Sequence, residues 1–403
     1  MLWCYTLRMQ LFKRVSSLPR PVLVLGLVSF FNDLSSEMIY PIVPLFLTGV
    51  LHTSIPVVGL IEGVAEATAS IMKFLFGLYS DYLQKRKPFV TGGYMMAAIS
   101  KLLIGMAFSW PLVLFARIVD RLGKGIRTAA RDSILLDNAT EKNKGFIFGA
   151  HRAFDSMGAI VGPLVALVLL AVLHENIRLT FFIAFIPAVI AVLVLVLLIH
   201  EKKKKPTQKK FSLAILQWSQ LDAKLKLFLL ISFLFSVGNS SDTFLLLQAK
   251  NLGLSATLVV LAYVLYNISQ TVFSTPLGHL SDSIGAKKVF SGGLIVFAAV
   301  YFLFGFIHSS AWLWLLFPVY GVYIAATDGI SKAYIGEFIK KDESGTFFGA
   351  YYTITAIGTL FASIIGGLLW SYIHPSATFY YGSVMALLAF IAFSFSQTLF
   401  QKA

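Results

Sequence analysis

Twelve stretches of this chain are apolar and long enough to cross the hydrocarbon layer of a membrane: 22–50, 55–80, 89–108, 111–133, 145–173, 178–200, 225–249, 255–281, 289–308, 311–336, 345–373 and 376–399. A helical crossing takes about 20 residues. Inside lipid every backbone N–H and C=O must be satisfied within the protein, which restricts such segments to helices or a closed barrel, and segments of this length read as helices. The expected fold class is therefore an all-α integral membrane protein with 12 transmembrane helices. Composition supports it, with 57% hydrophobic and 13% charged residues, where a soluble domain carries about 25% charge. The single cysteine, Cys4, excludes a disulfide framework and any cysteine-based metal cluster.

A formal net charge of +14 would suggest nucleic acid in a soluble protein. Here the positive charges fall on one set of loops. With both termini cytoplasmic, the inner loops hold Arg8, Lys13, Arg14, Arg20, Lys85, Arg86, Lys87, Lys142, Lys144, the run from Lys202 to Lys210, Lys287, Lys288, Lys340 and Lys341, and the outer loops little beyond Arg178 and Lys250. That asymmetry orients the chain, so no nucleic-acid partner is expected. Trp110, Trp312, Trp314 and Trp370 are expected at the outer interface. The first apolar stretch contains Asp33 and Glu37 and has no small-residue cleavage site, so it is expected to stay as a span and not to act as a signal peptide. The expected organisation is a cytoplasmic segment 1–21, a six-helix half 22–200, a basic linker 201–224, a second half 225–399 and a tail 400–403.

The halves repeat at an offset near 200 residues. Gly77 and Asp81 followed by Lys85, Arg86 and Lys87 correspond to Gly278 and Asp282 followed by Lys287 and Lys288. Gly92 and Gly93 correspond to Gly292 and Gly293, and Gly145, Phe148, Gly149 and Gly158 to Gly345, Phe348, Gly349 and Gly358. Duplicated halves around a midplane site are the architecture of secondary transporters.

Twelve spans, a basic central loop and a Gly-x-x-x-Asp…basic motif repeated between spans 2 and 3 and spans 8 and 9 resemble the major facilitator superfamily. The resemblance implies two pseudo-symmetric six-helix halves, with Asp81, Lys85, Arg86, Asp282, Lys287 and Lys288 acting as conformational latches. Gln84, Tyr82 and Ser283 depart from the family's usual pattern. In span 4, Arg117 to Gly123 resembles the family motif whose arginine is associated with proton coupling, with Asp120 and Arg121 as departures. In span 5, Gly149, Gly158, Gly162 and Pro163 resemble the antiporter motif, which leans toward export. Physically, the glycines let backbones approach, and Pro163 bends the helix where the halves rock. The phrases from Asn32 to Pro41 and from Asp120 to Asp132 are similar to a bacterial branch of the superfamily, whose members the resemblance places in the inner membrane.

Charges inside a membrane are costly, about 2.5–3.5 kcal/mol at the centre, and so are candidates for function. In span 1, Asp33 and Glu37 lie one turn apart, just before Pro41 and Pro44 can break the helix, and span 7 places Asn239 and Asp242 at the matching depth. Polar, broken helices at corresponding positions in two halves point to a binding site. Glu62, Glu66 and Lys73 share a face of span 2 and read either as a proton relay or as a neutralised ladder. Arg117, Arg121 and Lys124 share a face of span 4 with Asp120 beside it, which suits an anionic substrate unless the arginines pair with Asp33, Glu37 or Asp155. Arg127 and Arg131, nearer the inner end, read as latch or topogenic charges. Arg152 and Asp155, three apart, are expected to form a gating pair, and His151 beside them to be polar surface. Asp328 and Lys332 echo Asp120 and Lys124. Tyr263, Tyr266, Asn267 and Gln270 of span 8, and Tyr351, Tyr352 and Thr353 of span 11, are candidates to line a cavity.

No phosphate-binding loop, metal constellation or nucleophile–base pair is visible. The expectation is a non-enzymatic transporter without cofactors, a monomer whose partners are the lipid bilayer, protons and a small-molecule substrate. The leading reading is proton-coupled export of a small organic compound by alternating access. Proton-driven uptake of an anionic metabolite or iron chelate, and lipid translocation, are the alternatives.

Overall fold

The computed structural model describes residues 18–80, 86–138, 144–199, 222–336, 338 and 344–400. Its α-helices in chain order are α1 (Arg20–Ile39), α2 (Val43–Gly49), α3 (Ile55–Ser80), α4 (Lys87–Gly105), α5 (Trp110–Asp137), α6 (Lys144–Val172), α7 (Ile177–Leu198), α8 (Ala223–Gly238), α9 (Thr243–Asn251), α10 (Ala256–Ile284), α11 (Ala286–Phe306), α12 (Leu313–Gly336), α13 (Ser344–Tyr372) and α14 (Pro375–Phe400). They account for the expected spans one by one, with two spans broken. Span 1 is α1 plus α2, interrupted at Tyr40, Pro41 and Ile42, and span 7 is α8 plus α9, interrupted at Asn239 to Asp242.

Each break has a local cause. Pro41 lacks an N–H and interrupts the ladder after α1, and Pro44 occupies the first turn of α2, where a missing N–H is tolerated. Span 7 has no proline there. There the Ser241 hydroxyl competes for the backbone, accepting from the Thr243 amide at 3.4 Å, while the Ser241 amide itself donates to the Ser363 hydroxyl of α13 at 3.1 Å.

Among the described residues ten segments are long and apolar enough to cross a membrane. The expected spans outside that set are α4 and α5. Charge explains α5, which carries Arg117, Asp120, Arg121, Lys124, Arg127, Arg131, Asp132 and Asp137, while α4 carries Lys87 and Lys101. They are placed by packing, α4 against α5 and α7, and α5 against α3.

The two halves use one packing scheme. In the first, α1 packs on α6 and α7, α4 on α5 and α7, and α3 on α5; in the second, α8 packs on α13 and α14, α11 on α12 and α14, and α10 on α12. The principal contacts between halves, α3 with α13 and α6 with α10, exchange under the same twofold relation. The repeated glycines explain the match. A Cβ on Gly158 would lie 2.6 Å from the Phe30 carbonyl oxygen and 3.1 Å from the Asp33 Cβ, and one on Gly358 would lie 2.8 Å from the Ser236 Cβ. Gly93 meets Gly123 and Arg127, and Gly293 meets Thr327 and Ala326. Both copies therefore hold span 5 to span 1, and span 3 to span 4, at backbone distance.

The ends of the bundle differ. At the end carrying the loops after the odd-numbered spans, the halves are closed. Leu247 and Val260 of the second half join the buried cluster of Phe46, Val58, Ile61 and Phe181, Trp370 packs on both halves, and Glu175 accepts from Thr257 at 3.3 Å. Toward the other end, Lys73 and Lys124 are exposed, and Asp328 and Lys332 have side chains 52% and 39% exposed. Trp312 is exposed. Trp370 is not, because it fills the seam between Phe244 and Phe379, and Trp314 packs on the core of the second half.

Candidate transport site

The polar residues of the span 7 break are gripped by tyrosines. Asp242 accepts hydrogen bonds from the Tyr320 hydroxyl at 2.6 Å and the Tyr266 hydroxyl at 3.1 Å. Asn239 donates to the Tyr323 hydroxyl at 3.0 Å, and the Ser240 and Tyr301 hydroxyls lie 3.3 Å apart. These rings form one aromatic cluster, with centroids of Tyr266 and Tyr320 at 5.5 Å and of Tyr320 and Tyr323 at 5.1 Å. A buried tyrosine brings apolar area and a hydroxyl that needs a partner, so the cluster both fills the core and fixes the broken backbone.

The cluster reaches the first half through Tyr263. Its hydroxyl donates to Glu37 at 2.9 Å, and its ring lies 5.5 Å from that of Tyr40, at the span 1 break. Gly162 sits on the same turn, where a Cβ would lie 2.9 Å from the Glu37 Cβ. Among the described residues neither Glu37 nor Asp242 has a cation at ion-pair distance.

The arginines of α5 are occupied by α3. Arg117 pairs with Glu62 at 2.5 Å, with side chains 4% and 2% exposed, and Arg121 pairs with Glu66 at 3.1 Å. The four-residue step on each helix makes these two rungs of one ladder. Arg117 also lies over the Tyr40 ring, 6.0 Å from its centroid. The Nε atoms of both arginines are buried without a hydrogen-bond partner.

A twelve-span bundle, twofold halves, broken first spans and a charged central seam now stand beside the comparisons. The model of the Major Facilitator Superfamily matches residues 25–249 and 228–399. The chain belongs to that superfamily. An uncharacterized MFS-type transporter of Methanocaldococcus jannaschii is 38% identical over 92% of this chain and 94% of its own length. Multidrug resistance protein 1 of Bacillus subtilis is 23% identical over 88% of this chain and 90% of its own. Among solved structures, the nucleoside transporter NupG superposes with a TM-score of 0.78 at 14% identity, covering 93% of this chain and 99% of that one. A POT family transporter in complex with 5-aminolevulinic acid gives 0.77 at 12% identity, covering 94% of this chain and 96% of that one. These structural likenesses establish the fold.

Within this superfamily bundle several expected pairings are redrawn. Arg117 and Arg121 do not pair with span 1 or Asp155, because α3 lies against α5 along the turns that carry them. Asp120 faces away from that seam toward Lys101 of α4 at 3.3 Å, a fully buried lysine that sequence reading passed over and that also donates to Ser36. Arg152 is exposed and does not gate with Asp155, which instead faces His151 at 3.6 Å and Arg131 at 3.9 Å. His151 is buried and bonded to Ser29 at 2.9 Å, so it is interior and not polar surface. Arg127 lies over the Tyr94 ring and donates to the Gly93 carbonyl, and Arg131 reaches Asp155 and Ser29, so in this conformation both make their contacts within the first half.

Asp33 accepts from Asn32 at 3.0 Å beside Gly158. Asn267 donates to the Tyr263 carbonyl of its own helix, and Gln270 lies where α10 meets Gly321 of α12. Lys73 leaves the ladder face and crosses to Tyr352 of the second half. Asp328 and Lys332 pair at 3.4 Å. Of the latch residues, Arg86 pairs with Asp137 at 2.7 Å, Asp282 and Lys288 are exposed, and Lys287 lies over the Phe393 ring. Asp81 and Lys85 lie outside the described residues. Pro163 is buried within α6, and Gly149 falls on the same helix. The grip of Tyr301, Tyr320 and Tyr323 on the break was invisible in sequence, where a tyrosine in an apolar span carries no sign of its partner.

Proposed function

We propose that this chain is a proton-coupled antiporter that exports a small organic solute across the cytoplasmic membrane by alternating access. The observation that carries the reading is the pair Glu37 and Asp242. Each is a carboxylate at the break of a first span, held by tyrosine hydroxyls and not by a cation. Such a group can take up and release a proton without breaking an ion pair, whereas the arginine ladder neutralises Glu62 and Glu66 permanently. Glu37 is also bonded across the halves, so its protonation state bears directly on whether they stay closed. The loop charges orient the exposed end toward the cytoplasm, where an exported solute enters. The relative called Multidrug resistance protein 1 agrees with export.

Inside-out vesicles carrying a pH-sensitive dye test it. Addition of a solute from a mixed panel of organic compounds to acid-loaded vesicles should release protons, and Glu37→Gln and Asp242→Asn should each reduce that release by more than about tenfold while leaving folded yield intact. Proton movement with the solute, in the same direction, would replace antiport by symport. Unchanged flux in both variants would remove these carboxylates from the coupling.

A further inference from the structure

The exposed end of the seam gathers two lysines around one ring, with a third beside them. Lys73 of α3 places its ammonium 4.7 Å from the centroid of Tyr352 on α13, and Lys332 of α12 places its own 5.4 Å from the same centroid. The first belongs to one half and the second to the other. Lys124 stands beside Lys73 on α5, because its neighbour Gly125 packs on α3 at Met72 and Lys73, where a Cβ would lie 2.9 Å from the backbone nitrogen of Lys73. Among the described residues no carboxylate lies at ion-pair distance from Lys73 or Lys124, and Lys332 has Asp328 at 3.4 Å.

These lysines differ from the orienting charges. The latter sit in loops, while Lys73 lies seven residues inside the end of α3 at Ser80, about 10 Å along the helix axis. They also differ from Arg117 and Arg121, which the sequence suggested for an anion but which are buried and already paired. An ammonium is a compact charge with three rotatable donors, and like charges from opposite halves repel unless an anion stands between them.

We infer that Lys73 and Lys332, which share the ring of Tyr352, form with the neighbouring Lys124 a binding subsite for the acidic group, carboxylate or phosphate, of an organic anion, bridging the two halves at the cytoplasmic end of the transport path. This rests on the reading of the seam as the transport path, and it names the charge class of what travels there. An anion held between Lys73 and Lys332 adds a charge bridge between the halves at the exposed end, so its arrival favours closure there.

The test uses the full chain purified in detergent, with succinate and glycerol phosphate as probes at constant ionic strength and thermal unfolding as the readout, since a ligand that binds only the folded state raises the midpoint. Both probes, or one of them, should raise the midpoint over chloride. Lys73→Gln and Lys332→Gln should each weaken apparent affinity by about tenfold or more, and Lys250→Gln at the opposite end should not. Equal shifts in all three variants would reduce the effect to general ion stabilisation and overturn the subsite.

A second arm reconstitutes the chain in nanodiscs of phosphatidylcholine with or without phosphatidylglycerol. Stabilisation by the anionic lipid that Lys73→Gln abolishes and soluble anions cannot displace would assign the phosphate to a headgroup and overturn the soluble-anion assignment. Vesicle flux separates the two readings: probe binding lost in Lys73→Gln with no proton movement in the native chain keeps the subsite and removes the transport path, whereas solute flux indifferent to charge keeps the path and removes the subsite.

Discussion

Glu62 and Arg117 are 2% and 4% exposed, and this burial makes their pairing conditional. A buried ion pair adds little over an apolar pair of the same volume, but removing one partner strands a charge at a cost of about 3–5 kcal/mol. Arg117→Gln should therefore lower the unfolding midpoint in detergent sharply, and Glu62→Gln/Arg117→Gln together should recover most of the loss. Glu66 is 40% exposed but its partner Arg121 only 8%, so Glu66→Gln strands a buried guanidinium and should also lower the midpoint, by less than Arg117→Gln because water reaches the carboxylate side of the pair. Tyr263 offers a different single-residue test. Its hydroxyl is bonded across the halves to Glu37, and a net hydrogen bond is worth about 1 kcal/mol. Tyr263→Phe should raise the population open at the far end several-fold, read as faster labelling of a cysteine placed at Thr257 by a membrane-impermeant maleimide, in a Cys4→Ser background. An unchanged labelling rate would mean the bond does not hold the closed end.

At the scale of helices, the glycines divide into those that hold two backbones together and those that face open space. Gly158 and Gly162 of α6 lie on the turns of α1 that carry Asp33 and Glu37, so the span 5 motif seats the acids as well as bending a helix. Gly158→Val should force α6 from α1 and destabilise the first half by several kcal/mol, by the logic of overpacking a tight contact. Gly292 has nothing within 4 Å of its would-be Cβ, and Gly292→Ala should leave stability unchanged or raise it by up to about 1 kcal/mol through helix propensity. Thermal unfolding of the two variants side by side checks both. The breaks belong to this scale as well. That in span 1 was legible from Pro41 and Pro44, and that in span 7 from four consecutive polar residues; their partners were not, because a tyrosine hydroxyl reaching from α10, α11 or α12 leaves no local trace.

For the whole molecule, the contacts between halves define what has to move. At the closed end glycines bring α3 and α13 close together: a Cβ on Gly63 would lie 2.8 Å from Leu360 Cδ1, one on Gly367 would lie 2.8 Å from the Pro56 Cα, and Gly59 abuts the Ser363 carbonyl. If alternating access is the mechanism, these helices part there in every cycle. A Gly59→Cys/Ser363→Cys pair in a Cys4→Ser background should lose flux on oxidation and regain it on reduction; flux that survives a formed cross-link would show that the closed end does not open. Lys73 and Tyr352 bring the same two helices into contact near the other end as well.

The sequence by itself determined the membrane, the helices, the duplicated halves and the superfamily, because hydrophobic length, loop charge and repeated glycines are local or periodic properties that the bilayer reads directly. It also located the charged turns of spans 1, 2, 4 and 7. Only the tertiary structure decided who pairs with whom. Asp33, Glu37 and Asp155 were the partners the sequence suggested for Arg117 and Arg121, and the packing of α3 on α5 supplies Glu62 and Glu66 instead, leaving Glu37 to a tyrosine of the other half. A charge inside a membrane must find a partner, but the residue's own helix cannot say which neighbour the fold will bring.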